Sequence, residues 1–153
     1  MRLLLDTTYL LPAIGISVKG LPSDAPIKLT RKGHKIFISD ISIFELSAKG
    51  AKHITAGTLS GERVTKGVRA IVYDETIETV PMHESTLLLT AFKLKGMLND
   101  FIDCLILSSA INRCDLLITE DNDIKKLNGN KEFKDAIATT NPEFKIKTMN
   151  ETL

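Results

Sequence analysis

Leu3-Leu4-Leu5 stops on Asp6. A short, wholly apolar run closed by a carboxylate suits a strand buried on both faces, with the acid emerging at its end. Lys35-Ile36-Phe37-Ile38-Ser39 runs into Asp40 in the same way, and Asp115-Leu116-Leu117-Ile118-Thr119 runs into Glu120-Asp121-Asn122-Asp123. Strands of this kind belong to parallel sheets covered by helices on both sides, and the intervening sequence supplies those helices. Apolar spacing predicts helices from about Ile41 to Lys52, from Glu62 to Tyr73, from Glu84 to Lys95 before Gly96, and from an Asp100 cap to about Asn112. A short helix from Ile124 to Leu127 should close on Asn128-Gly129. Ile77 to Val80 alternates as a strand, and Ala136-Ile137-Ala138-Thr139 reads as a last strand. Pro12, Gly15, Gly20, Pro22 and Pro26 make residues 12–26 too broken for one long helix. The expected fold is a three-layer α/β/α arrangement around a central, mainly parallel sheet, with residues 1–153 forming one domain.

Composition excludes several classes. The chain has 153 residues, 43% apolar and 25% charged, which fits a globular protein that needs no disulfide or structural metal to hold its core. The net charge of +1 gives no global field for nucleic acid, so any such binding must rest on local clusters. Cys104 and Cys114 lie in and just after an apolar helical stretch with no CxxC or Cys/His pairing, and read as reduced and structural. No apolar run approaches the roughly 20 residues that span a bilayer, so no membrane is expected and the cytoplasm is the default location. The apolar start is interrupted at Asp6, with no clean cleavage site after it.

Ligands of such sheets sit beyond the carboxyl ends of the strands. Asp6 and Asp121 follow two candidate strands, while Glu45 and Asp103 fall in the first turns of two candidate helices. Each has a plain alternative. Asp6 can cap the next helix. Glu45 completes a capping box with Ser42, with Ile41 and Leu46 as a staple, and can pair with Lys49. Asp103 can answer the helix dipole, although Asp100 already serves there, and its own face carries Ile106, Leu107 and Ala110, which turn it toward the core. Asp121 or Asp123 can cap the short helix, which leaves the remaining acid of that run unexplained. Four acids at one sheet edge suit Mg²⁺ or Mn²⁺, and His34, His53 and His83 are too scattered to suggest zinc.

At this point the chain resembles the PIN-domain family, which includes the VapC-type toxin ribonucleases. The resemblance rests on Leu3-Leu4-Leu5-Asp6-Thr7, on Ile38 to Leu46, on Asp103 to Ala110, on Leu117 to Asp123, and on Thr139-Thr140-Asn141-Pro142-Glu143-Phe144 near the end. It implies that Asp6, Glu45, Asp103 and Asp121 are the catalytic, metal-binding quartet, with Asp123 as an auxiliary metal ligand and Thr7 and Thr119 as supporting hydroxyls. It further implies Mg²⁺- or Mn²⁺-dependent hydrolysis of single-stranded RNA, an antitoxin partner and a homodimer. Substrate contacts would come from Arg31, Lys32 and Lys35 with Lys28, from Lys49 and Lys52, and from Lys93 and Lys95, all of which are otherwise ordinary solvated surface. Tyr9 either stacks on a base or belongs to the core. Ile124 stands where relatives often have Phe.

Two rivals remain at the level of sequence. A PIN-like interaction module would keep the acids as a docking site without turnover. A haloacid-dehalogenase-like phosphatase also begins with a strand ending in Asp, but it needs a second acid two residues on, where this chain has Thr8.

Overall fold

The computed structural model describes residues 1–153 and contains five strands, all parallel: β1 (Arg2–Leu5), β2 (Lys35–Ser39), β3 (Ile77–Val80), β4 (Leu116–Ile118) and β5 (Lys145–Lys147). Their order in the sheet is β3-β2-β1-β4-β5, so the first strand is the central one. Leu3 pairs in register with Ile36 on one side and Leu116 on the other. Because successive side chains alternate faces, Leu4 enters one core with Phe37, Leu117 and Ile146, while Leu3 and Leu5 enter the other with Ile36, Ile38, Leu116 and Ile118. That two-sided burial is why the strands read as unbroken apolar runs.

The helices are α1 (Ala25–Arg31), α2 (Asp40–Thr55), α3 (Gly61–Val72), α4 (Ser85–Leu94), α5 (Phe101–Arg113), α6 (Asn122–Lys125) and α7 (Lys131–Ile137). Helices α4 to α7 cover one face through Leu87, Ala91, Ile106, Ala110, Ile124, Phe133 and Ile137. The other face is covered by α1, by α2 and α3 through Leu46, Val64 and Ile71, and by a 3₁₀ segment, Thr7–Ile14, that holds Pro12. Layer formation is therefore α/β/α, as the alternation of elements implies. Gly50 and Gly67 allow α2, α3 and the 3₁₀ segment to approach closely: a Cβ on Gly67 would stand 2.2 Å from the Ala13 carbonyl oxygen, and one on Gly50 2.6 Å from Val64 Cγ1.

Two sequence expectations need correction. Ala136 to Thr139 is not a strand. Asn130 Oδ1 accepts from the Phe133 amide over 2.9 Å and starts α7, whose Phe133 and Ile137 share a helical face and are both buried. The fifth strand lies further on, at Lys145–Lys147, where a single buried residue, Ile146, gives too little alternation to be read. The capping box at Ser42 and Glu45 is also absent, because α2 begins three residues earlier, with Ser39 at its N-cap position. The broken segment 12–26 forms no long helix, as its prolines and glycines imply: it holds the end of the 3₁₀ segment and the start of α1, with Pro26 in the first turn where a missing amide costs nothing. Asn141, in the stretch noted as similar to a family turn, donates to the Ile111 and Cys114 carbonyls over 3.0 and 2.9 Å and closes the end of α5.

Candidate active site

Asp6 leaves the end of β1 almost wholly buried, at 6% exposure. Its Oδ1 accepts from the Thr7 amide over 2.7 Å, and its Oδ2 accepts from Thr119 Oγ1 over 2.6 Å. The Thr119 hydroxyl in turn accepts from the Asp121 amide over 3.0 Å, and Asp121 Oδ1 caps α6 by accepting from the Ile124 amide over 3.0 Å. One hydroxyl at the end of β4 thus orients two acids from neighbouring strand ends. Burial pushes the Asp6 carboxyl up; the hydrogen bonds from Thr119 and Thr7 oppose this, and the charges of Glu45 and Asp121 add to it.

Asp103 occupies the first turn of α5 and is half-buried. Desolvation, then the charges of Asp100, Asp6, Asp121 and Glu45, push its carboxyl up to about 7. Asp100 accepts from the Ile102 amide over 2.8 Å, which gives it the capping role and leaves Asp103 free of it. Glu45 is half-buried on α2 and forms neither the capping box nor an ion pair with Lys49. Asp103 thus feels the charges of Asp6, Asp121 and Glu45, and Asp6 those of Glu45 and Asp121, from four different elements at one edge of the sheet. None of them has a basic partner, because the ion pairs present are Arg2–Asp115, Lys28–Asp24, Arg113–Glu84 and Lys126–Asp123.

An uncompensated group of carboxylates in a partly dry setting matches a hard divalent cation in charge and donor type. As they stand, no three of these side chains converge tightly enough to ligate one ion. The fit is thus one of charge and oxygen donors rather than of finished coordination geometry. Two buried hydroxyls, Thr7 Oγ1 and Ser42 Oγ, have no hydrogen-bond partner; Thr7 follows Asp6 directly, and Ser42 stands one turn before Glu45 on α2. In the sequence Ser42 reads only as the cap of a Ser-x-x-Glu box, a role that α2 gives it no chance to play.

The acidic run after β4 divides by role. Glu120 turns away to accept from the Tyr9 hydroxyl over 2.7 Å and from the Met149 amide over 3.3 Å. Tyr9 is accordingly a buried core residue and not a free stacking surface. Asp123 is exposed and faces Lys126 at 3.6 Å. Of the basic candidates, Lys35 pairs in register with Arg2 at the amino end of the sheet, opposite the acids, and α1 delivers Lys28 and Arg31 toward that same end. Lys32 donates to the Leu153 carbonyl. Lys49 and Lys52 lie on α2 beyond Glu45, and Lys93 and Lys95 lie at the end of α4, near the start of α5. Lys95 donates to the Asn99 carbonyl over 2.8 Å.

A parallel sheet of this order, with helices on both faces and carboxylates gathered near the carboxyl ends of its strands, is a three-layer α/β/α protein whose acids lie where such sheets place their ligands. The model of the PIN domain matches residues 3–130, and the chain belongs to that family. PIN domains are generally nucleases and typically use divalent metal ions. This membership leaves the phosphatase rival without support. Among solved structures, a chain in the crystal structure of VapBC2 from Rickettsia felis bound to a DNA fragment from their promoter is similar in fold. Its TM-score is 0.57 at 20% identity, covering 86% of this chain and 95% of that one. No curated protein matches the sequence. No helix is long and apolar enough to cross a membrane.

Proposed function

We propose that this chain is a single-domain, Mg²⁺- or Mn²⁺-dependent endoribonuclease that hydrolyses single-stranded RNA, acting in the cytoplasm as the toxin of a toxin–antitoxin pair. The observation that carries the reading is the burial of Asp6 and Asp103 beside the carboxylates of Glu45 and Asp121, with no basic side chain paired to any of the four. Family membership supports nuclease activity, and the likeness to a VapBC2 chain supports an antitoxin partner.

Asp6, Glu45 and Asp103 would hold the main ion, and Asp121 with the exposed Asp123 a second or weaker one. A bound ion would supply an activated water and offset charge on the scissile phosphate, leaving a 5′-phosphate and a 3′-hydroxyl. Thr119 holds Asp6 and Asp121 in fixed orientation, so the protein's part is positioning. Asp103 carries a proton close to neutral pH and must release it to act as a ligand. Homodimerisation remains an expectation taken from the family.

The test is cleavage of a mixed RNA pool with mapped ends, with and without Mn²⁺, set against Asp6→Asn. Metal-dependent 5′-phosphate ends that vanish in the variant support the reading; cleavage that persists in the variant or in chelator defeats it. A second reading, an interaction module without turnover, draws on the absence of three converging ligands. It predicts a folded protein with no thermal shift at millimolar Mn²⁺.

A further inference from the structure

Three hydrogen bonds close a ring around the ends of β1 and β4. The Asp6 carbonyl accepts from the Tyr9 amide over 3.1 Å, and the Tyr9 hydroxyl donates to Glu120 Oε1 over 2.7 Å. Thr119, next to Glu120 in the chain, completes the ring by donating to Asp6 Oδ2 over 2.6 Å. The ring passes through the sheet. Leu117 faces one core and Ile118 the other, and the same alternation takes Thr119 to Asp6 on the side of α5 while Glu120 drops to the side of the 3₁₀ segment. There Tyr9 is only 5% exposed, and the Met149 amide donates to the same Glu120 oxygen over 3.3 Å.

Stability does not require this arrangement. A phenylalanine at position 9 would fill the same space with no hydroxyl to satisfy, and a buried polar pair is often worth no more than apolar side chains of the same shape. Glu120 stands at the edge of the sheet, where a carboxylate is ordinarily left in water. Left free, it would add a further negative charge next to Asp121. A phenol and a backbone amide hold it on the opposite face instead, and neither brings a cation that would compete for the acids. The sheet ladder ends at Thr119, whose amide donates to the Lys147 carbonyl over 2.9 Å, and Glu120 is the anchor between that point and α6.

We infer that Tyr9 is a positioning residue of the acidic centre, acting through Glu120 to hold the end of β4 so that Thr119 and Asp121 keep their place beside Asp6. The inference rests on the proposed metal-dependent reading and adds to it a buried residue that touches neither ion nor RNA. Thr119 can orient Asp6 and Asp121 only while its own backbone is fixed, and the bond from Tyr9 fixes it from the far side of the sheet.

Residue-resolved amide exchange in chelator, followed by calorimetric Mn²⁺ titration, tests this on wild type, Tyr9→Phe, Glu120→Ala and Glu120→Gln. The Asp121 and Ile124 amides donate within the site, to Thr119 Oγ1 and Asp121 Oδ1. Tyr9→Phe should raise their exchange by about 10-fold while amides of β2 and α4 keep wild-type rates. It should also weaken Mn²⁺ binding by about 10-fold. Glu120→Ala, which leaves the apolar core untouched, should match it, and the double variant should be no worse than either. Glu120→Gln, whose amide oxygen still accepts from Tyr9, should recover most of the loss. Exchange that rises evenly across the chain, or a measurable Mn²⁺ affinity left unchanged by Tyr9→Phe, overturns the inference and leaves Tyr9 a core residue only. So does a Glu120→Gln protein as weak as Glu120→Ala, since the carboxylate charge would then be what counts. A protein that shows the local exchange pattern but takes up no Mn²⁺ removes the metal-dependent reading and leaves the hold of Tyr9 on Asp121 in place.

Discussion

Thr119 Oγ1 donates to Asp6 Oδ2 over 2.6 Å, joining two strand ends that are 113 residues apart in sequence. The same oxygen accepts from the Asp121 amide, so its loss removes one restraint at each acid at once. Thr119→Val keeps the shape and removes the bonds. It should lower Mn²⁺ affinity and cleavage by about 10- to 100-fold. Calorimetric Mn²⁺ titration beside a cleavage assay checks this, and a variant with unchanged affinity would deny Thr119 its orienting role.

Asp103 gives the metal-free protein an inverted pH response. Its folded carboxyl titrates at about 7 against an ordinary value of 3.8, so between those values the folded chain binds the extra proton. The associated stability is fully present below the lower value and is lost as pH rises through the higher one. In chelator, the thermal midpoint should fall from pH 5 to pH 8, and Asp103→Asn should flatten that slope. Mn²⁺ should raise the midpoint more at pH 8 than at pH 6, because binding must displace the proton. A midpoint that rises over the same range in chelator would contradict the burial and charge assigned to Asp103.

Ser42→Ala should stabilise the protein. The hydroxyl is buried without a partner, and relieving such a group is worth about 1 kcal/mol or more. Urea denaturation gives the sign directly. A loss of stability would mean that Ser42 Oγ has a donor or acceptor in the folded chain.

Gly67→Ala should do the opposite, although alanine is the better helix former. The added methyl would meet the Ala13 carbonyl oxygen at 2.2 Å, which forces α3 away from the 3₁₀ segment at a cost of about 1–3 kcal/mol. A thermal midpoint equal to wild type would show that the contact yields freely.

Asn141→Ala should cost about 1–3 kcal/mol, since two carbonyls at the end of α5 lose their donor. Amide exchange should rise first in the last turn of α5. Uniform exchange across the chain would argue against a local closing role.

How much was legible depended on how much of each element faced the core. Strands β1, β2 and β4 are buried on both sides and announced themselves as apolar runs, and each long helix carried a readable stripe. Strand β5 did not, because Lys145 and Lys147 leave Ile146 as its only buried residue. Among the acids, Asp103 could be argued from its own helical face, whereas Glu45 was masked by a cap that α2 does not use. The basic residues 28–35 were misleading for a topological reason. They precede or open β2, so chain direction already puts them at its amino end, and register with Arg2 places Lys35 there, away from the acids.

The central position of β1 also sets an order of assembly during synthesis. The strand made first acquires β2 early, but its second edge stays open until β4 has left the ribosome, and Asp6 has no hydroxyl partner until Thr119 arrives with it. The four acids are drawn from positions 6, 45, 103 and 121, so the site closes only after most of the chain is made. A chain that stops short of β4 carries Asp6, Glu45 and Asp103 but neither Asp121 nor the hydroxyl that holds Asp6, so the acids gather as a group only once nearly four-fifths of the sequence is present.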